Sequence, residues 1–258
     1  MKVTVCQIDN RPENLEASWQ ALVDHVGSVG SEFVLLPEMP FSDWLAAEEQ
    51  VDGARWQKAV HDHEHWLERL PELGAQAVAG TRPALDGHRR RNRAFVHCDG
   101  RVEDIRDKAY LPDEPWYWEA SWYEPGPVDY PTFSAAGAVA GVQICTEMWF
   151  LQHARAYGEA GAQLLCVPRA TPHQSIDKWL AGGRTAGVVA GAFCLSSALW
   201  NPPGAPANLG GLAWITDPEG NVLATTTPQT PAATADIDLA DADAAKRSYP
   251  RYVTAPAS

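Results

Sequence analysis

The stretch EFVLLP, residues 32 to 37, constrains this chain more than any other. A strand with one wet face alternates polar and apolar residues, because successive side chains point to opposite sides of the sheet. A near-continuous apolar run of strand length instead needs apolar cover on both faces, which in practice means a sheet flanked by helices. The chain around it has that alternation of elements. KVTVCQI (2 to 8), AQAVAG (75 to 80), RAFVHC (93 to 98), the run Val139 to Ile144, AQLLCVP (162 to 168), GAFCLSS (191 to 197) and GLAWITD (211 to 217) read as further strands. Leu15, Trp19, Leu22, Val23 and Val26 keep helical spacing over 12 to 27, and Trp56, Val60, Leu67 and Leu70 form a second helical stripe. CDGR (98 to 101) predicts a hairpin into VEDIRD (102 to 107), and DPEGNV (217 to 222) a turn into a last hairpin strand. A Trp- and Pro-rich loop covers 111 to 131, a helix follows the run Val139 to Ile144 as far as about Tyr157, and TAPAS at the end reads as loose chain. With 258 residues, 45% of them hydrophobic, the expectation is a single domain, 1 to 258, of layered α/β architecture.

Charge and composition exclude several partners. A formal net charge of -13 disfavours nucleic acid and anionic membranes, both of which need a basic surface, so a small-molecule partner is expected. The opening MKVTVCQIDN is too short an apolar segment for a signal peptide, and no uninterrupted apolar stretch reaches membrane-spanning length; the expected location is the cytoplasm. The five cysteines, Cys6, Cys98, Cys145, Cys166 and Cys194, are odd in number and widely spaced, which suggests reduced thiols. His61 and His65 of HDHEHW share a helix face, whereas His63 falls on the apolar stripe, so a metal site is not expected. HRRRNR (88 to 93) reads as a solvated hairpin loop braced by Asn92 or Arg93. Without a P-loop or Gly-x-Gly-x-x-Gly signature, no cofactor is called for.

Three strand ends carry chemistry. In GVQICTEMWF the apolar run gives way to Cys145, then Thr146 and Glu147. A thiol at a strand's carboxyl end and a helix start meets backbone N–H groups and a dipole that lower its pKa, although an arbitrary strand cysteine is most often core filling. In LLPEMPF, Glu38 follows an apolar strand and a proline; in IRDKAYLP, Lys108 closes a hairpin strand. Acid, cation and thiol at three strand ends can converge on one pocket. The thiol attacks an unactivated amide if Glu38 takes its proton. Lys108 and the backbone N–H of Thr146 stabilise the oxyanion, and water activated by the same glutamate hydrolyses the thioester.

LLPEMPF, DKAYLPDEPWYWE and GVQICTEMWF, in that order, resemble the nitrilase superfamily of carbon–nitrogen hydrolases, and VTVCQI, NRAFVHCDGRVEDIRDK, GAQLLCVP and ADIDLADADAAKR extend the resemblance over nearly the whole chain. It implies a four-layer αββα sandwich, a Glu-Lys-Cys triad of Glu38, Lys108 and Cys145, and a homodimer formed through the helices and loop after the cysteine. A second glutamate eleven residues beyond the lysine matches Glu119, which would hold Lys108 or the substrate nitrogen in place. Thr146 stands where nitrilases commonly carry Trp, and Met148 and Trp149 stand where carbamoyl amino acid hydrolases often carry arginines. Arg169 in PRATPHQS is either a substitute carboxylate grip or a solvated loop arginine, with Thr171 beside it. Trp44 occupies the position of a frequent pocket tyrosine, and with Trp116, Trp118, Trp122 and Trp149 it forms either an aromatic pocket wall or interlayer packing among the eleven tryptophans.

The expected activity is therefore a thiol-dependent amidase acting on a linear amide or carbamoyl compound. Nitrile hydrolysis and acyl transfer from the same thioester are alternatives within the chemistry, and a non-catalytic scaffold is the alternative outside it.

Overall fold

The computed structural model describes residues 1–205 and 207–253, so TAPAS lies outside the described residues. The elements are, in chain order, β1 (Lys2–Ile8), α1 (Pro12–Val29), β2 (Phe33–Leu35), α2 (Gly53–Leu67), β3 (Ala77–Asp86), β4 (Arg89–Cys98), β5 (Arg101–Asp107), α3 (Glu119–Trp122), β6 (Phe133–Ala135), β7 (Ala138–Val142), α4 (Leu151–Glu159), β8 (Leu164–Arg169), α5 (Ile176–Ala190), β9 (Phe193–Leu199), β10 (Trp214–Thr216), β11 (Val222–Thr225), β12 (Ala232–Asp236) and α6 (Leu239–Ala245).

The strands form two sheets joined at one seam. The first runs β5-β4-β3-β2-β1 with β12 on β1; the second runs β9-β8-β7-β6, with β10 and β11 beyond β9. Strands β1, β2 and β3 are mutually parallel, as are β7, β8 and β9, and the seam is a short parallel pairing of Gln7 and Ile8 with Ala198 and Leu199. Alternation within the first sheet sorts its residues as a doubly covered sheet requires. Val3, Val5, Phe33, Leu35, Ala77 and Ala79 face the second sheet in one core, whereas Cys6, Ile8, Val34, Leu36 and Val78 face Leu15, Trp19 and Leu22 of α1 and Trp56 and Trp66 of α2 in another. On the far side α5 packs on β8, β9 and β10, and α4 packs on α5. This is the expected four-layer αββα order. Local signals agree: Pro12 opens α1 and the left-handed Gly30 closes it, and Asp52 caps α2 by accepting from Ala54 and Arg55 N–H. Asp99 and Gly100, both at positive φ, make the hairpin turn between β4 and β5.

Three features depart from the sequence expectation. First, β3 and β4 are longer than predicted, with Asp86 paired to Arg89, so most of HRRRNR lies in a strand rather than in a solvated loop. Arg91 and Asn92 are buried. Arg93 is held by Asp107 and Asp104 from β5, and Arg91 by the carbonyls of Glu124 and Pro125; these partners replace water. Second, α5 is a full helix where no element is predicted. Its glycines at 182, 183 and 187 cost a helix interior about 0.5–1 kcal/mol each, which hides it from propensity. Packing explains them: a Cβ at Gly182 would sit 2.7 Å from Trp149 and Met148, and one at Gly183 2.6 Å from the Trp214 indole nitrogen. Third, the second helical stripe ends at Leu67, and Leu70 belongs to a separate 3-10 turn, Leu70–Leu73, that contains Pro71.

Candidate active site

The carboxyl ends of three strands and the start of α3 bring four side chains together. Glu38 follows β2 by three residues, Lys108 directly follows β5, Glu119 opens α3, and Cys145 lies three residues beyond β7 at the start of a 3-10 turn, Cys145–Trp149. All four are buried. The Lys108 ammonium donates to Glu38 Oε1 at 2.8 Å and to Glu119 Oε1 and Oε2 at 2.7 and 2.6 Å, so its three N–H bonds are directed at carboxylate oxygens. Asn92 Nδ2 also donates to Glu38 Oε1, at 2.7 Å. Glu38 Oε2 is buried and has no hydrogen-bond partner among the described residues.

Asn92 is a site residue that sequence reasoning placed only as a loop brace. Only strand register reveals it: Asn92 pairs with Pro83, on a strand whose carbonyl at 92 accepts from the Lys108 N–H at 2.8 Å. Polar side chains buried in a doubly covered strand need a partner, and that partner is Glu38.

The electrostatics follow from burial and crowding. Burial works against the Lys108 ammonium, but Glu119 and Glu38 outweigh it and hold its pKa above the ordinary value. Burial pushes the Glu119 carboxyl up to about 8 although Lys108 pulls it down, and Glu38 adds to the rise. Burial also pushes the Cys145 thiol well above its ordinary value; Glu38 reinforces this and Lys108 opposes it. The strand-end expectation of a lowered thiol pKa is thus overturned. The helix behind Cys145 is only a 3-10 turn, and desolvation beside carboxylates exceeds what so short a dipole supplies. Cys145 is held with φ of 50°, in the left-handed region that non-glycine residues seldom occupy. It points toward the Ala170 carbonyl, 3.8 Å away.

Cys145 and Glu119 lie on a cavity of about 800 Å³, together with Thr146, Trp149, Thr171 and Tyr117. Of the sequence candidates for substrate contact, Trp149 and Thr171 are on this wall, whereas Trp44, Trp116, Trp118, Trp122 and Arg169 are not. Trp44 is buried behind it, its indole N–H donating to the Trp116 carbonyl at 2.9 Å and its ring 6.2 Å from Tyr117, which is the residue that reaches the cavity. Trp118 caps α3 and ties its N–H to the Ala46 carbonyl, leaving Tyr117 and Glu119 on either side to face inward. Arg169 is fully buried, so it is neither a carboxylate grip nor a solvated loop residue. It stacks 4.2 Å over Trp214 and donates to Ser196, to the carbonyls of Gly211 and Leu212, and to Thr171 Oγ1. Its donors are spent on the fold, which orients Thr171. At the rim stand Asp113, Glu114 and Lys178, the last with its ammonium 5.6 Å above the Trp149 ring.

His63, on the apolar stripe as predicted, is buried with Nδ1 against the Ala59 carbonyl and Nε2 accepting from Phe41 N–H, while His61 and His65 are exposed. The described residues contain no group of three His, Cys, Asp or Glu side chains arranged to hold a metal ion. No described helix is long and apolar enough to cross a membrane.

Comparison with known proteins gives the family. A citrullinase from Francisella tularensis is 29% identical over 194 residues, 69% of this chain and 67% of its own length. An N-carbamoylputrescine amidase from Arabidopsis thaliana is 25% identical over 167 residues, 64% of this chain and 56% of its own length. The crystal structure of a carbon-nitrogen hydrolase from Helicobacter pylori G27 superposes with a TM-score of 0.85 at 17% identity, covering 97% of this chain and 94% of that one. The carbon-nitrogen hydrolase family model matches residues 2–247. With the fold, the strand-end carboxylates, lysine and thiol, and a match of that extent, the chain belongs to the carbon-nitrogen hydrolase family, the nitrilase superfamily resembled by its sequence.

Proposed function

We propose that the protein is an amidase that cleaves a linear amide or carbamoyl carbon–nitrogen bond through a thioester on Cys145. The observation that carries this reading is the division of labour on Glu38. One oxygen is fixed by Lys108 and Asn92, while the other, buried and unpartnered among the described residues, is left to take a proton. Because burial keeps the thiol protonated, attack and proton removal are coupled. Glu38 accepts the Sγ proton as sulfur bonds to the carbonyl carbon, then returns it to the departing nitrogen, so that ammonia or an amine leaves and a thioester remains. Water, deprotonated by the same carboxylate, releases the acid and restores the thiol. Such general acid–base help is worth about 10²–10⁴ in rate. The backbone N–H of Thr146 and Lys108 meet the oxyanion. Lys108 does so by yielding one of its two contacts with Glu119, which keeps it aligned through the other.

Relatives named for citrulline and N-carbamoylputrescine favour a carbamoyl substrate over a nitrile. Trp149 and Tyr117 supply an aromatic wall, and the rim charges suit a polar tail. We further propose one catalytic domain that acts as a cytoplasmic homodimer, which light scattering on the purified chain tests. The activity is tested by ammonia release from carbamoyl compounds, amides and nitriles, run beside Cys145→Ala with intact-mass detection of an acyl adduct. Cys145-dependent release from a carbamoyl compound or amide is the expected result. Release that survives Cys145→Ala overturns the mechanism, and release from nitriles alone overturns the substrate class.

A further inference from the structure

Directly beside the proposed triad lies a second buried ion pair to which that mechanism gives no role. Glu147 and Arg106 face each other with side chains almost without exposure. Arg106 Nη1 and Nη2 donate to Glu147 Oε2 and Oε1 at 2.5 and 2.9 Å. Each carboxylate oxygen accepts one more bond, and both come from the backbone. Oε1 takes the Ala109 N–H at 2.7 Å, and Oε2 takes the Ile144 N–H at 2.8 Å. Those two amides adjoin Lys108 and Cys145 in the chain. The guanidinium is itself anchored, with Nε donating to the Asp129 carbonyl at 2.9 Å and its plane 4.2 Å over Tyr130.

From this we infer that Glu147 is a positioning residue: its carboxylate bridges the Ala109 and Ile144 amides, locking the Lys108 strand end to the Cys145 turn, and Arg106 fixes the carboxylate's plane. Two further observations make the bridge more than core filling. Cys145 sits at φ 50°, a conformation that persists only where its surroundings impose it, and the Ile144 N–H held by Glu147 is the amide immediately before it. The Glu147 backbone is also fixed, its carbonyl accepting from Gln143 Nε2 at 2.9 Å and its N–H donating to the Ile144 carbonyl at 3.1 Å. The carboxylate therefore spans, from a rigid base, two segments that are far apart in sequence, at Ala109 and Ile144. A hydrophobic pair of equal size fills the same space but cannot accept from both amides.

The inference rests on Cys145 being the nucleophile, and the test separates the two. Glu147→Asp keeps the charge opposite Arg106 but is one methylene too short to reach both amides. Arg106→Lys keeps the buried cation but loses the planar fork. Steady-state ammonia release and the rate of Cys145 alkylation by iodoacetamide, with Cys145→Ala as blank, are measured on folded protein well below each variant's melting temperature. A positioning role predicts a fall in kcat on the order of 10²-fold for Glu147→Asp, KM changed less than about threefold, and alkylation slowed in parallel. Arg106→Lys falls between it and wild type. A merely structural pair lowers the melting temperature and leaves kcat and alkylation of the folded protein unchanged, in Glu147→Asp or, should that variant not fold, in Arg106→Lys. That result overturns the inference. Full turnover by Cys145→Ala instead overturns the nucleophile assignment beneath it.

Discussion

Two buried ion clusters flank the peptide between Lys108 and Ala109, and they are built in opposite ways. In the Arg106–Glu147 pair one cation meets one anion, and each carboxylate oxygen accepts two bonds. In the other cluster one ammonium faces two carboxylates, Glu38 and Glu119, and both Glu38 Oε2 and Asn92 Oδ1 are buried without a partner among the described residues. A buried unpaired oxygen costs about 1–3 kcal/mol, so a fold that tolerates two of them in one cluster has kept acceptors in reserve. The contrast shows where to look for chemistry: burial and charge are common to both clusters, whereas incomplete satisfaction belongs to one.

Substitutions break or sharpen that contrast. The largest effect is expected of Glu38→Gln, which keeps the shape but removes the proton acceptor: kcat should fall by about 10⁴ with little change in melting temperature, measured by ammonia release and calorimetry. Arg106→Met inverts the pattern and strands the Glu147 charge, lowering the unfolding free energy by about 3–5 kcal/mol in urea titration. Glu119→Gln should lower kcat on the order of 10²-fold by loosening Lys108. A retained kcat would remove Glu119 from the site.

The last expected effect is a pH slope. Because the folded carboxyl of Glu119 titrates near 8 rather than near its ordinary 4.5, it favours folding fully below 4.5, and that contribution is lost as pH rises through about 8. Chemical denaturation at pH values on either side of that window should show wild type losing stability toward alkaline pH more steeply than Glu119→Gln. Equal slopes would mean that Glu119 does not titrate there.

How much of this was legible in the sequence depended on what each residue does for the backbone. Glu38 and Cys145 could be read because each follows an apolar strand by three residues, where a change from apolar to polar is visible, and Lys108 because it closes the hairpin strand that CDGR predicts. Asn92 and Arg91 could not, since a run of charged residues reads as solvated until register shows that β5 supplies Asp104 and Asp107 to its arginines. Arg169 was misread for the same reason: its partners are carbonyls of Gly211 and Leu212, over forty residues away and without side-chain signal. Helix α5 was invisible because its glycines answer to Trp149 and Trp214 rather than to helix propensity. Trp44 kept the family position but lost the pocket to Tyr117, a substitution in space that spacing along the chain does not record.

The left-handed backbone at Cys145 bears on how the thiol is best replaced. A residue with a β-carbon held at φ 50° carries a conformational penalty of roughly 1–2 kcal/mol that glycine escapes. Alanine and serine replacements inherit that penalty along with the loss of the thiol. Glycine removes the thiol proposed as nucleophile and relaxes the turn at once, so Cys145→Gly is expected to lose less stability to backbone strain than Cys145→Ala.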